Sequence, residues 1–267
     1  MFAKVSVLRA GCVLVLAAVA GVAVFPAVAT AALVGEYHFD GDLNDTASSP
    51  ANLFVYSGAA PTYVPGVLGL GGQAISMVYN NSSYTRECDS ADVAKYQTLG
   101  GTYTVEAFIN LTSPIPTDSR IVTHWGPWFL GARASQQLWC LEQNSGGTAD
   151  FTGGALVVNR WQHIAITGDG TALKLWLNGA VVGSQGYNGT MNTSGGPLQI
   201  NNMNTGFTGV IDDVKIWSGE AKDQAYMQSR YNLIFGAPED IPEPATMALL
   251  GLAVTGLGGY IRRRRTA

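Results

Sequence analysis

Trp161-Gln162-His163-Ile164-Ala165-Ile166-Thr167, then Gly168-Asp169-Gly170, then Leu173-Lys174-Leu175-Trp176-Leu177, Asn178-Gly179 and Val181-Val182-Gly183 form the stretch that decides the fold. Short apolar runs are separated by turn residues at short intervals, the pattern of strands. Asn178-Gly179 supplies the two positive φ values of a type I′ turn, whose twist matches the strands of a hairpin. Upstream, Thr102 to Leu111 alternates apolar and polar residues through its length, as a half-buried strand does. Further strands are predicted at Glu36–Phe39, Leu53–Tyr56, Ala74–Tyr79, Trp128–Ala132, Leu138–Glu142, Leu198–Asn201 and Val210–Trp217. One helix is predicted, at Lys222 to Tyr231. Turn signals about every ten residues indicate an all-β fold, a two-sheet antiparallel jelly-roll sandwich.

The two ends read differently. Lys4 and Arg9 precede an apolar run from Gly11 to Phe25, and Ala27-Val28-Ala29 and Ala29-Thr30-Ala31 are small-x-small cleavage sites. Residues 1–31 are therefore predicted to be a signal peptide. Arg9 stands where a lipobox ending in Cys12 would need an aliphatic residue, so lipidation is not expected. At the other end, residues 237–241 read as a linker. Pro242-Glu243-Pro244 follows, then the uncharged run Ala245 to Ile261, then Arg262-Arg263-Arg264-Arg265. The run has 17 residues, the short end of what spans a bilayer as a transmembrane helix. The arginines would stay on the cytoplasmic side, leaving the rest of the chain outside.

Without its two ends the chain keeps 9 of 15 basic and 18 of 19 acidic residues, a net charge near −9. Such a surface excludes nucleic acid and anionic membranes as partners and is compatible with divalent cations and neutral sugars. Cys88 and Cys140 are the two cysteines of the exported region. Oxidising conditions permit a disulfide between them, and two separate buried thiols are the alternative.

The C-terminal order of Pro242-Glu243-Pro244, apolar span and arginine cluster resembles the PEP-CTERM sorting signal of Gram-negative bacteria, over residues 242–267. The resemblance implies an inner-membrane intermediate, processing by an exosortase after a signal peptidase, and release to the cell surface or beyond. The region between, residues 32–236, has its own likeness. Tyr37-His38-Phe39-Asp40-Gly41-Asp42-Leu43-Asn44-Asp45, Tyr63-Val64-Pro65-Gly66, Tyr103 to Phe108, Asn159 to Ala165, Leu175 to Gly179 and Phe207 to Trp217 occur in that order. Together they resemble a LamG-like jelly roll of the concanavalin A-like lectin/glucanase superfamily. Phe108 and Asn178 stand where that family more often has Trp and Asp.

The superfamily includes glucanases, so catalysis has to be weighed. Retaining glycosidases hold two carboxylates about 5 Å apart, and the glucanase members carry a Glu-x-Asp-x-x-Glu run, which this chain lacks. His163 is expected to be buried and hydrogen-bonded. The chain is read as non-catalytic. The resemblance further implies a structural Ca²⁺ near the first and last strands, held by Asp40 and Asp212 with Asp42 as a third candidate. Alternation puts Asp212 on the apolar face with Val210, Val214 and Ile216, where a buried carboxylate needs compensation. It also sends Asp212 and Asp213 to opposite faces. For a glycan, Trp125 and Trp128 flank Gly126-Pro127 and are the expected stacking residues, with the Tyr79–Tyr84 loop next. The sequence leads to an exported domain that binds carbohydrate or protein; a structural envelope protein and an unrecognised glycoside hydrolase are the alternatives.

Overall fold

The computed structural model describes residues 31–235 apart from 58, 79–86, 98, 125, 188–190, 193–194 and 203–205. The expected signal peptide, linker and sorting signal lie outside the described residues. Among the described residues no helix is long and apolar enough to cross a membrane.

Among the described residues, fifteen strands form two antiparallel sheets. They are β1 (Ala32–Tyr37), β2 (Leu53–Ser57), β3 (Thr62–Pro65), β4 (Gln73–Met77), β5 (Glu87–Ser90), β6 (Thr102–Leu111), β7 (Ser119–His124), β8 (Trp128–Ala132), β9 (Gln137–Asn144), β10 (Gly147–Ala155), β11 (Trp161–Asp169), β12 (Ala172–Leu177), β13 (Ala180–Gly186), β14 (Leu198–Ile200) and β15 (Gly209–Ser218). The first sheet runs β13-β12-β11-β6-β15-β4-β3, and β1 also pairs with β15. The second runs β10-β9-β8-β7-β14-β5-β2.

Alternation decides what lies between the sheets. Tyr103, Val105, Ala107, Ile109 and Leu111 of β6 enter the core with Leu138 and Cys140 of β9 and Ile164 and Ile166 of β11. The β12–β13 turn is as expected, with Asn178 at φ 51° and Gly179 at φ 78°.

The other face of the first sheet is covered by α1 (Gln224–Asn232) and a short 3₁₀ turn (Leu233–Phe235). Asp223 is the N-cap, its carboxylate accepting from the Tyr226 N–H at 2.9 Å. Met227 and Tyr226 of the helix pack on Ala165 and Trp176.

Strand order and register decide one open alternative and correct one expectation. Cys88 and Cys140 are both buried and form no disulfide with each other. They lie on β5 and β9, four strand spacings apart or about 19 Å, beyond what a disulfide can bridge. Alternation along β15 also fails. Its register shifts between Asp212, opposite Phe108, and Lys215, opposite Glu106, with Asp213 at φ 43°. This bulge puts Asp212 on the face of Phe108, away from Val214 and Ile216, and turns Asp213 toward the helix side too. The bulge lies where β15 exchanges β4, paired at Gly209–Ile211, for β1, paired at Val214–Ser218.

Candidate functional site

The exchange of partners on β15 opens a cavity of about 250 Å³ at the sheet edge, lined by His38, Asp40, Leu70, Gly71, Asp212 and Asp213. The structure thus brings together Asp40 and Asp212, which the sequence separates by more than 170 positions. Asp40 Oδ1 accepts from the Gln73 N–H at 2.6 Å and Asp212 Oδ2 from the Val67 N–H at 2.8 Å. Gly66 permits the second contact, since a Cβ there would stand 2.6 Å from Asp212 Oδ2. Burial pushes the Asp212 carboxyl up to about 7, with the neighbouring Asp213 and Asp40 charges adding to it. An acid so placed gains from a cation. Ca²⁺ takes carboxylate and backbone oxygens, and the ring nitrogens of His38, which also lines the cavity, face Asp213 and Glu36, so Asp40 and Asp212 fit the ion the resemblance implies. Asp42 does not line the cavity; it is exposed and accepts from the Asn44 N–H at 3.0 Å.

Glu36, His38 and Asp213 form a second cluster whose ligand atoms lie within 4.8 Å of one another. Protein cations already fill it. His38 Nδ1 is 2.8 Å from Asp213, and Lys215 Nζ is 3.0 Å from Glu36 and 3.5 Å from Asp213. Arg230 from the helix also donates to Asp213. Despite burial, these partners hold the Asp213 carboxyl at about 2, and the bond to Asp213 raises the His38 pKa.

Arg230 bridges to Glu106, which is fully buried. Glu106 accepts from Arg230 Nε at 2.7 Å and the Tyr226 hydroxyl at 3.0 Å, and its other oxygen lies 3.2 Å from His163 Nε2. His163 is buried and hydrogen-bonded as expected, under the helix. Sequence reasoning missed this network; its one visible sign was an acid and a histidine on strands that otherwise read as core.

The expected sugar-stacking residues fare differently. Trp125 and the Tyr79–Tyr84 loop lie outside the described residues. Trp128 is 0% exposed in the core between the sheets, which corrects its assignment as a surface ring. It pairs with His124 on one side and Glu142 on the other, so the strand register turns it inward with both. Glu142, on the same inner face, accepts from the Tyr103 hydroxyl, and burial pushes its carboxyl up to about 7.

The outward face of the second sheet carries what the sequence did not single out. Arg133 lies 3.6 Å over the Trp139 ring, with its guanidinium nitrogens 2.7 Å from Asp118 and 3.0 Å from Asp150. Trp139 Nε1 donates to Asp150 at 2.6 Å, and Phe129 meets the indole edge-on at 4.2 Å. Asp118, Arg133, Asp150, Ser135, Gln137 and Thr152 border an open depression of about 530 Å³. At the far edge of this sheet Phe54 and Tyr56 of β2 are 47% and 55% exposed.

Residues 240–265 match the PEP-CTERM protein-sorting motif. Among solved structures, the binding domain of Paraclostridial Mosquitocidal Protein 1 is similar at 17% identity and TM-score 0.60, over 76% of this chain and 52% of that one. Domain 4 of AbnA, a GH43 extracellular arabinanase from Geobacillus stearothermophilus in complex with arabinotriose, is similar at 19% identity and TM-score 0.53, over 74% and 98%. A botulinum neurotoxin type C structure, described with interaction with two ganglioside molecules, is similar at 11% identity and TM-score 0.58, over 76% and 51%. The chain spans about half the length of the toxin chains it matches. No sequence match to a curated protein was found. Residues 85–225, just over half the chain, match Laminin_G_3, and the chain belongs to that family of the concanavalin A-like lectin/glucanases superfamily.

Proposed function

We propose that this is an exported, non-catalytic domain that binds a neutral glycan through the depression bordered by Asp118, Arg133 and Asp150. The observation that carries the reading is the clamped guanidinium on Trp139. Asp118 and Asp150 hold Arg133 from two sides while keeping acceptor sites open to solvent. Gln137, Ser135 and Thr152 add an amide and two hydroxyls. Fixed carboxylates, an amide and hydroxyls beside Phe151, which also lines the depression, suit the hydroxyl pattern of a sugar. The two acids outweigh the arginine, which disfavours an anionic polymer. Two of the most enclosed acids, Glu106 and Asp213, are committed to Arg230, which supports binding over hydrolysis.

The match to the sorting motif supports export through the inner membrane of a Gram-negative bacterium, with signal peptidase and exosortase as processing partners. Pro242-Glu243-Pro244 would be the recognised tripeptide and Arg262 to Arg265 the cytoplasmic stop. A structural Ca²⁺ held by Asp40 and Asp212 would neutralise the edge cavity and fix the β1–β2 turn, without a chemical role. The test is binding of the full chain to a panel of neutral and acidic oligosaccharides, with Asp150→Asn beside it. At least a tenfold loss for Asp150→Asn on a neutral ligand, with an unchanged melting curve, is the expected result. Unaltered binding by this variant, or a preference for acidic glycans, refutes the assignment.

A further inference from the structure

Where the described chain ends, six apolar side chains gather at one place. The Gly69 N–H donates to the Leu233 carbonyl at 2.8 Å, so the β3–β4 turn sits on the 3₁₀ turn that follows α1. Leu68 and Leu70 flank that glycine and are 72% and 38% exposed; Phe235 is 63% exposed. Tyr231 meets Phe235 edge-on at 5.4 Å, and Leu233 and Ile234 are half-buried beside them. Single exposed apolar residues are ordinary, but a group with three exposed members marks a surface that meets something.

The chain itself indicates what it meets. From Phe235 only the nine residues Gly236–Pro244 intervene before the uncharged run Ala245–Ile261, a reach of at most about 30 Å. With that run in a bilayer, the end of the domain bearing Phe235 is the end held against the lipid. We propose that Leu68, Leu70 and Phe235 form a membrane-docking face, which seats the domain on the zwitterionic surface of the bilayer while the C-terminal run is inserted and frees it once the tail is cut. The proposal rests on the reading of residues 245–261 as a membrane span.

Charge and tethering decide the character of this contact. The region between the two processed ends carries a net charge near −9, so anionic headgroups repel the domain and only apolar insertion favours contact. Three partly exposed side chains give too little area for stable binding from solution. A nine-residue tether, however, raises the local concentration of the face at the surface to the order of millimolar. Docking is therefore conditional on the tether. It would hold Pro242-Glu243-Pro244 close to the membrane, where a membrane-bound processing enzyme reaches it, and it would end with cleavage.

The experiment uses the full chain reconstituted in phosphatidylcholine vesicles containing nitroxide-labelled lipid. One fluorophore at a time is placed through Leu68→Cys, Phe235→Cys, Val181→Cys or Leu250→Cys; native Cys88 and Cys140 are fully buried and stay unlabelled, and Cys12 is replaced by serine. Val181 lies on β13, at the opposite edge of its sheet. Docking requires quenching at positions 68 and 235 at least twofold above that at 181, with strong quenching at 250. It also requires loss of the 68 and 235 signals after protease release of the domain from the vesicles. Strong quenching at 250 with equal, weak quenching at 68, 235 and 181 overturns the docking face alone. No quenching at 250 overturns the membrane-span reading and the docking face with it.

Discussion

Arg230 Nε lies 2.7 Å from Glu106 Oε1 across 124 positions of sequence, and the same guanidinium reaches Asp213. One arginine from the last helix thus satisfies an acid of β6 and an acid of the β15 bulge, with Phe108 4.9 Å beneath it. The helix is fastened to the sheet by charge as well as by Met227 and Tyr226. A buried ion cluster of this kind is weak evidence for net stability, but removing its shared member is costly, because two enclosed carboxylates lose their partner.

Arg230→Met keeps much of the volume and deletes the charge. It should destabilise the domain by about 3–5 kcal/mol, the usual cost of breaking a buried pair, read as a lower denaturant midpoint. A loss below about 1 kcal/mol would mean that Glu106 and Asp213 find other partners, His163, Tyr226 and Lys215 being the nearest.

The pH dependence follows from acids shifted in opposite directions. Asp212 and Glu142 keep their protons up to about pH 7 in the folded state, while the unfolded chain releases them near 4. Between those values the folded state binds more protons, so stability falls as pH rises and levels off above 7. His38, raised by Asp213, contributes stability below its unfolded pKa that is lost as pH rises through its folded one. Asp213, at about 2, contributes above pH 4 and loses this as pH falls toward 2. In EDTA the melting temperature should therefore be higher at pH 5 than at pH 8. A higher value at pH 8 would contradict the burial of both acids.

Calcium enters the same balance. If the ion binds between Asp40 and Asp212, adding it at pH 7.5 should raise the melting temperature, and a hundredfold excess over the dissociation constant corresponds to about 2.7 kcal/mol. Asp212→Asn should abolish the response. The variant without calcium should also be no less stable than the parent at that pH, because it removes a charge the fold otherwise buries. Melting curves that ignore both calcium and EDTA in the parent chain would leave Asp212 as an acceptor for Val67 alone.

Gly179 couples a turn to the helix. Its φ of 78° disfavours any side chain, and a Cβ there would meet Gln228 Oε1 at 2.9 Å and its Cα at 3.1 Å. Gly179→Val should cost about 1–3 kcal/mol, the scale of such backbone strain. Differential denaturation of the variant and Gly179→Ala would check this, and equal midpoints for valine and wild type would contradict it.

The strands most legible in the sequence were those with a dense run of apolar residues. Thr102 to Leu111 and Trp128 to Ala132 coincide with the expected segments, and Gly209 to Ser218 encloses its own. The strands that escaped notice, Thr62–Pro65, Glu87–Ser90, Ser119–His124 and Gly147–Ala155, are short, polar or interrupted by glycine. Several lie where pairing, more than side-chain pattern, makes the strand. The edge cavity was half legible: Asp40 and Asp212 meet because β1 lies beside β15, but the bulge that turns Asp212 outward leaves no mark in a two-residue period. The depression beside Trp139 could not be read at all. A tryptophan in a strand looks like core, and only the arrival of Arg133, Asp118 and Asp150 from three separate segments gives Trp139 another role.

Because β15 pairs with β6, β4 and β1 together, the earliest strand of the domain has no partner on that sheet until the latest one emerges. Val214 to Ser218 lies some 180 residues downstream of the strand it completes. A polypeptide threaded outward from its N-terminus would cross the membrane with this sheet open, its edges unpaired and its apolar rows waiting. Closure of the sandwich would then coincide with arrival of the C-terminal region at the lipid surface. In a chain exported this way the architecture would tie the last step of folding to the last step of translocation, and slow, late-forming strand pairing would be the stage at which a destabilised variant aggregates.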